Sequence, residues 1–194
     1  MLASESAVRK RLLTAAGVVF ETEPAAIDEA AQKRAGRERG QTSAECAAAL
    51  AAAKALRVGE RHPDALVIGA DQILECDGVW FDKPRDLADA RTQLEALRGR
   101  PHALVTAAVV AERAKVLWRH QTTARLVMRR FSDAFLDRYL AEMGERVLRT
   151  VGGYELEGLG AQLFDEIDGD YFAILGLPLL PLLAFLRDQG ALAA

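Results

Sequence analysis

Four groups of side chains in this 194-residue chain have types that acid–base, metal or phosphate chemistry uses. They are the cluster Ser4, Ser6, Arg9, Lys10 and Arg11; Glu29; Lys54; and the stretch from Asp71 to Lys83. Asp71 closes the apolar run LVIGA, which reads as a buried strand. A carboxylate at the end of such a strand needs a metal, a cation or backbone donors to offset its lost hydration. A solvated aspartate at a strand end is the alternative, and spacing leaves both open. Asp77-Gly78 is a two-residue hairpin signal, whose register sets Gln72 opposite Lys83 and Asp71 opposite Pro84. Asp71 and Lys83 then fall on opposite faces unless a one-residue bulge intervenes. Lys54 lies on an alanine-rich helix, where a lysine ordinarily serves solubility, and Glu29 could equally cap a loop.

The basic cluster poses a sharper question. Ser6 is a candidate N-cap for a helix with Val8, Leu12 and Ala15 or Ala16 at helical spacing. Arg9, Lys10 and Arg11 then crowd its first two turns, where the helix dipole already carries about half a positive charge. An anionic ligand would turn that cost into binding. Backbone N–H groups, the hydroxyls of Ser4 and Ser6, and the Arg9 guanidinium together suit a phosphate. With carboxylates and lysines close by, the set points to metal-dependent chemistry on a polyphosphate. On this basis Arg9 is an exposed cation, and its removal would relieve about 0.3–1 kcal/mol of dipole repulsion.

Composition removes several other classes. Apolar residues make up 51% and charged residues 27% of the chain, the balance of a globular protein. A net charge of -3 argues against general nucleic-acid binding. Cys46 and Cys76 offer neither metal spacing nor a disulfide framework, which favours a reduced, cytoplasmic setting. Arg9 arrives before any apolar run, so no signal peptide is read. The most apolar stretch, YFAILGLPLLPLLAFL, is short for a membrane span and carries Pro178 and Pro181. It reads instead as a buried strand, a turn, and a helix opening at Pro178. His62, His102 and His120 have no partner at metal spacing and read as structural. Ser4 and Ser6 have no nucleophile-elbow context, which removes serine hydrolases.

The elements that must position these groups alternate along the chain. GVVFETEP reads as a short strand, QKRAGRERGQ as a surface loop, and SAECAAALAAAKAL as a helix opened by Ser43. DALVIGADQILEC and VWF form a hairpin, and DLADARTQLEALRGR is a helix closed by Gly99. HALVTAAVVAE and AKVLWRHQTTARLVMRRF are paired extended stretches, with His120 at the hairpin. SDAFLDRYLAEMG is a helix between Ser132 and Gly144. The glycine-rich segment from Val151 to Pro178 reads as strand-forming, and a last helix runs to Asp188. Strands and helices mix throughout, giving an α/β protein read as one domain over 1–194.

Eight segments in this order resemble the Maf family of nucleoside triphosphate pyrophosphatases: LASESAVRKRLL, IDE, AAAKAL, VIGADQ, DKPRD, GRPHALVTA, YELEGLGAQLF and DGDYFAILGLPLL. The resemblance spans nearly the whole chain. It implies a Maf/ITPase-like α/β fold, with a central twisted mixed sheet flanked by helices and a substrate cleft between two lobes. It implies hydrolysis of a nucleoside triphosphate to the monophosphate and pyrophosphate, with a divalent cation. Asp71 matches the family's proton acceptor, while Ser6, Arg9, Glu29, Lys54 and Lys83 match its polar cleft residues. A homodimer and a link to septum formation also come from the resemblance alone.

The chain departs from the family pattern at Ala7 and Val8, where proline and then arginine or tryptophan are common. It also has Asp82 where a glycine usually precedes the Lys-Pro pair. Gln72 and Glu157 match the branch that favours 7-methyl-GTP; the pyrimidine branch has threonine and glutamine there. The family resemblance and the residues together give a nucleotide-pool enzyme. Asp71, with Glu29, would hold Mg2+ or Mn2+. Asp71, Lys54 and Lys83 would be catalytic, and Ser4, Ser6, Arg9, Val8, Gln72 and Glu157 would bind substrate. A non-catalytic nucleotide-binding regulator of cell division is the competing class, and a Maf enzyme selective for dTTP or UTP is the competing specificity.

Overall fold

Side-chain caps set most of the helix starts. The structure is a computed structural model describing residues 1–193, with seven α-helices and five strands among them. Helix α1 (Ala7–Ala15) starts where Ser6 Oγ accepts from Arg9 N–H. Asp28, Asp86, Ser132 and Asp170 likewise accept from the N–H three residues on. They open α2 (Glu29–Glu38), α4 (Leu87–Leu97), α5 (Asp133–Met143) and the one-turn α6 (Tyr171–Ile174). Thr42 and Glu45 form a reciprocal capping box at α3 (Ser43–Gly59). Helix α7 (Leu179–Asp188) follows Pro178. Each such cap is worth about 1 kcal/mol.

The strands are β1 (Val67–Cys76), β2 (Val79–Phe81), β3 (Pro101–Glu112), β4 (Lys115–Met128) and β5 (Phe164–Asp168). They form one sheet in the order β2-β1-β3-β4-β5, within an α/β fold whose sheet is flanked by helices. The β1–β2 and β4–β5 pairings are antiparallel. Parallel pairing enters at Leu2, which bridges Thr22 on one side and Ile68 on the other. Asp77 and Gly78 both take positive φ, 51° and 78°, as the expected tight hairpin turn requires.

Four local expectations are corrected. GVVFETEP contributes only the Thr22 bridge, because a single pairing with Leu2 does not build a strand. QKRAGRERGQ is mostly helix α2: Asp28 caps it, and Gly36 packs beside Cys46 and Gln41 rather than breaking the helix. Residues 151–178 hold one strand, β5, with 3-10 turns before it, since Gly152 and Gly153 take positive φ and leave the extended region. YFAIL is the short helix α6 and not a strand, because the Asp170 side chain caps it.

The chain divides into two compact units, with β1, β3 and β4 each contributing to both. The first comprises Met1–Gln72, Val105–Thr122 and the chain from Asp170 onward. Its core joins Leu2, Leu13, Ile68, Val110, Leu177 and Leu182, with α1 and α7 packed on one face of β1 and β3. The second comprises Ile73–Leu104 and Thr123–Gly169. There Leu74, Leu94, Leu136, Tyr139 and Val147 are buried, and α4 packs on α5 and the 3-10 turns that follow it. No helix of the described residues is long and apolar enough to cross a membrane.

Candidate functional site

Close packing of α3 on β1 creates the most unusual feature of the first unit. A Cβ on Gly69 would run into the Ala51 carbonyl oxygen and lie 2.7 Å from the Ala55 nitrogen, so only glycine lets α3 approach this near. Ala47, Ala51 and Ala55 on the helix are themselves fully buried. The approach brings Lys54 Nζ to 2.6 Å from Asp71 Oδ1 and 2.9 Å from Glu29 Oε1. Lys54 is 6% exposed and Asp71 4%. Lys54 is therefore no solubilising surface residue, and the partner Asp71 required is this ammonium. Asp71 Oδ2 is buried and has no hydrogen-bond partner among the described residues.

Arg9 departs from the exposed cation expected at a helix start. It is buried, and its Nε donates to Gly176 O at 2.7 Å while Nη1 donates to Ser4 Oγ at 3.2 Å. Ser4 Oγ also accepts from Ser6 N–H, so the two serines and Arg9 form one knot at the start of α1. Burial lowers the Arg9 pKa, and the negative charges of Asp71 and Glu29 oppose that shift. Partial burial pushes the Glu29 carboxyl up, but Lys54, Lys33 and Arg9 together hold it below its ordinary value.

Lys33 is the residue that sequence reasoning missed, because its segment read as a loop. It sits one turn after Glu29 on α2 and is buried. The available signal was the Glu29-to-Lys33 spacing, an i,i+4 pair in the favourable orientation. Arg9, Lys33 and Lys54 are the buried lysines and arginines among the described residues, and all three act on Glu29. Buried cations are thus concentrated beside Asp71 and Glu29, an arrangement that suits a phosphate-bearing ligand.

Gln72 follows Asp71 in sequence but not in space. Strand alternation sends Asp71 towards Lys54 on α3 and Gln72 towards α6, where its amide reaches Ala173 O and Ile174 O. Val8 is partly buried against the first unit's core. The expected hairpin register holds, with Cys76 opposite Val79 and Leu74 opposite Phe81, and pairing ends before Gln72 and Lys83. Lys83 and Glu157 lie in the second unit, both exposed, Lys83 just past β2 and Glu157 in the turn after Tyr154.

The histidines serve the fold, as expected. His62 meets Glu23 at 2.5 Å, His102 meets Tyr154 Oη at 2.9 Å in a buried aromatic cluster, and His120 stacks on Trp118. His120 lies on β4, in the hairpin that β3 and β4 form about Arg113 and Ala114. Cys46 and Cys76 are free and buried, and burial pushes both thiols up.

No group of three or more His, Cys, Asp or Glu suited to a metal is found among the described residues. The donor set of Asp71 and Glu29 nevertheless fits a hard divalent cation. Mg2+-type sites use one or two carboxylates and take their remaining oxygens from water and phosphates. Both carboxylates already converge on one ammonium, so their oxygens lie close enough to share a cation.

Comparison with known proteins covers nearly the whole chain. The family model described as Maf-like protein matches residues 1–189. A nucleoside triphosphate pyrophosphatase of Granulibacter bethesdensis is 54% identical over 99% of this chain and 98% of its own. Another so named, from Paramagnetospirillum magneticum, is 52% identical over 99% of both. A 7-methyl-GTP pyrophosphatase of Rhizobium meliloti is 48% identical over 100% of this chain and 98% of its own.

Proposed function

The chain belongs to the Maf family, and from that premise we propose that it hydrolyses nucleoside triphosphates to the monophosphate and pyrophosphate. The observation that carries the site assignment is the buried Asp71–Lys54 pair with exposed Glu29 on the same ammonium, and the buried, unpartnered Asp71 Oδ2. Water attacks the α-phosphorus, the new O–P bond forms, the bond to the β-phosphate oxygen breaks, and pyrophosphate leaves. Asp71 accepts the proton of that water through Oδ2, because Lys54 holds Oδ1 and fixes the carboxylate's orientation. Arg9, Lys54 and Lys83 offset phosphate charge, most strongly in the transition state. Asp71 and Glu29 are the residues that would hold Mg2+ or Mn2+, which neutralises phosphate charge and lowers the pKa of bound water.

The favoured base is 7-methylguanine. An ionised Glu157 accepts two hydrogen bonds from the N1–H and amino groups of guanine, whereas thymine and uracil present an acceptor there. Methylation at N7 adds positive charge, which further favours an anion. Two relatives of this chain, from Rhizobium meliloti and Mesorhizobium japonicum, bear the name 7-methyl-GTP pyrophosphatase. The role is removal of nucleotides that should not enter nucleic acid, in the cytoplasm, where free buried cysteines persist.

The test is product identification with Mg2+ or Mn2+ and a panel of 7-methyl-GTP, GTP, dTTP and UTP. Pyrophosphate plus monophosphate, with 7-methyl-GTP best, is the expected result; Glu157→Gln should narrow the preference by about 1–3 kcal/mol in relative kcat/KM. Orthophosphate plus diphosphate would overturn the reaction, and binding without turnover would favour the regulator. A preference for dTTP or UTP would overturn only the base assignment.

A further inference from the structure

Resting on the proposed role of Gln72 in substrate binding, we propose that Thr106 is a positioning residue. With two α6 carbonyls it locks the Gln72 amide so that the nucleotide meets only its oxygen, as a hydrogen-bond acceptor. The lock follows from which atoms can donate. Gln72 Nε2 lies 2.9 Å from Thr106 Oγ1, 3.0 Å from Ala173 O and 3.1 Å from Ile174 O. The two carbonyls can only accept. Thr106 Oγ1 spends its single hydrogen on Ala173 O at 2.9 Å, so towards Gln72 it too is an acceptor. Three acceptors face a nitrogen with two hydrogens, and its donor capacity is used up inside the protein. A flipped amide would set its oxygen against lone pairs on both carbonyls, and the Thr106 hydroxyl would have to give up Ala173 O to meet it. Thr106 is 1% exposed, so water has no access to replace the missing bonds.

The α6 turn that supplies these acceptors is itself held firmly. Asp170 Oδ1 accepts from Ala173 N–H at 2.7 Å, and Gly176 N–H donates to Ala173 O at 2.8 Å. The same turn delivers Gly176 O to Arg9 Nε. The short helix and the turn that follows it thus orient Gln72 and anchor Arg9, two residues read as touching the nucleotide. The matching ligand group is a donor, a base N–H or a sugar O–H, and an acceptor at that position is rejected.

Thr106→Val keeps the side-chain shape and deletes both hydrogen bonds; Thr106→Ser keeps them. Solvent exchange of the Gln72 side-chain NH2, read by NMR on the ligand-free protein, should be equally slow in wild type and Thr106→Ser and several-fold faster in Thr106→Val, whose amide keeps only the two α6 carbonyls as acceptors. With GTP as the probe, Thr106→Val should raise KM about tenfold with kcat within about twofold, the pattern of lost ground-state binding. Thr106→Ser should remain within about threefold of wild type, and adding Thr106→Val to Gln72→Met should cost less than about twofold more. NH2 exchange in Thr106→Val as slow as in wild type would overturn the part of Thr106 in the lock. Losses that add fully in the Gln72→Met background, or a Thr106→Ser protein no better than Thr106→Val, would overturn the positioning role. If the wild-type chain released no pyrophosphate from any nucleotide, the proposed function would fail, and NH2 exchange would still decide the lock.

Discussion

Removing the Lys54 ammonium tests the candidate site most directly, because two carboxylates depend on it. Lys54→Met preserves most of the buried stem and deletes the charge 2.6 Å from Asp71 Oδ1. Both partners are almost fully buried, so Asp71 is left as an uncompensated interior anion, a change that costs about 3–5 kcal/mol. Glu29 adds little, since its side chain is 47% exposed and water replaces the lost contact. Asp71→Asn is milder, because Lys54 keeps Glu29 as a partner; about 1–2 kcal/mol is expected. In the double variant both interior charges are gone, so its loss should resemble that of Asp71→Asn and fall at least about 2 kcal/mol short of the summed single losses. The assay is urea unfolding at neutral pH with the slope checked for constancy. If Lys54→Met does not fold, recovery of a cooperative transition in the double variant is the predicted rescue. Both single variants should lose at least about a hundredfold in pyrophosphate release. Additive stability losses, or a cost below about 1 kcal/mol for Lys54→Met, would refute the buried-pair account.

Three further outcomes follow from particular contacts. Arg9→Ala should destabilise by about 1–3 kcal/mol in urea unfolding, through the lost bonds to Gly176 O and Ser4 Oγ, and not relieve a helix dipole. Gly69→Ala should cost about 3 kcal/mol or more and depress activity, because its Cβ collides with the Ala51 and Ala55 backbone and pushes Lys54 from Asp71; a stable, active variant would refute close packing as the device. Burial pushes His102 down to about 4, against about 6.5 in the unfolded chain, so between these values the unfolded state binds more protons. This contribution is complete above about pH 6.5 and lost as pH falls towards 4, by about 3 kcal/mol in all. His102→Gln should flatten the stability profile across that window, and an unchanged slope would place the proton uptake elsewhere.

Local chemistry was legible in the chain wherever a short-range rule decided it. Asp77-Gly78 specified the hairpin and its register, since Asp-Gly favours the two-residue turn with both φ values positive that matches the strand twist. Ser6 and Ser132 mark helix starts, and the motifs around Asp71, Lys54 and Glu29 carry the family resemblance. Where the sequence misled, a longer-range contact had outweighed a local signal. The glycine-punctuated segment after Asp28 is helical because Gly36 is packed against Cys46 and Gln41, and that placement buries Lys33 near Glu29. Alanines on α3 read as helix propensity, yet with Gly69 they set how near the helix comes to β1. Asp71 could have met a metal, a cation or water; interior packing decided for Lys54. Arg9, expected in solvent at a helix end, is instead held by Gly176 O, 167 residues further along the chain. Such pairings depend on which surfaces meet when the core closes, and no window of neighbouring residues contains that information.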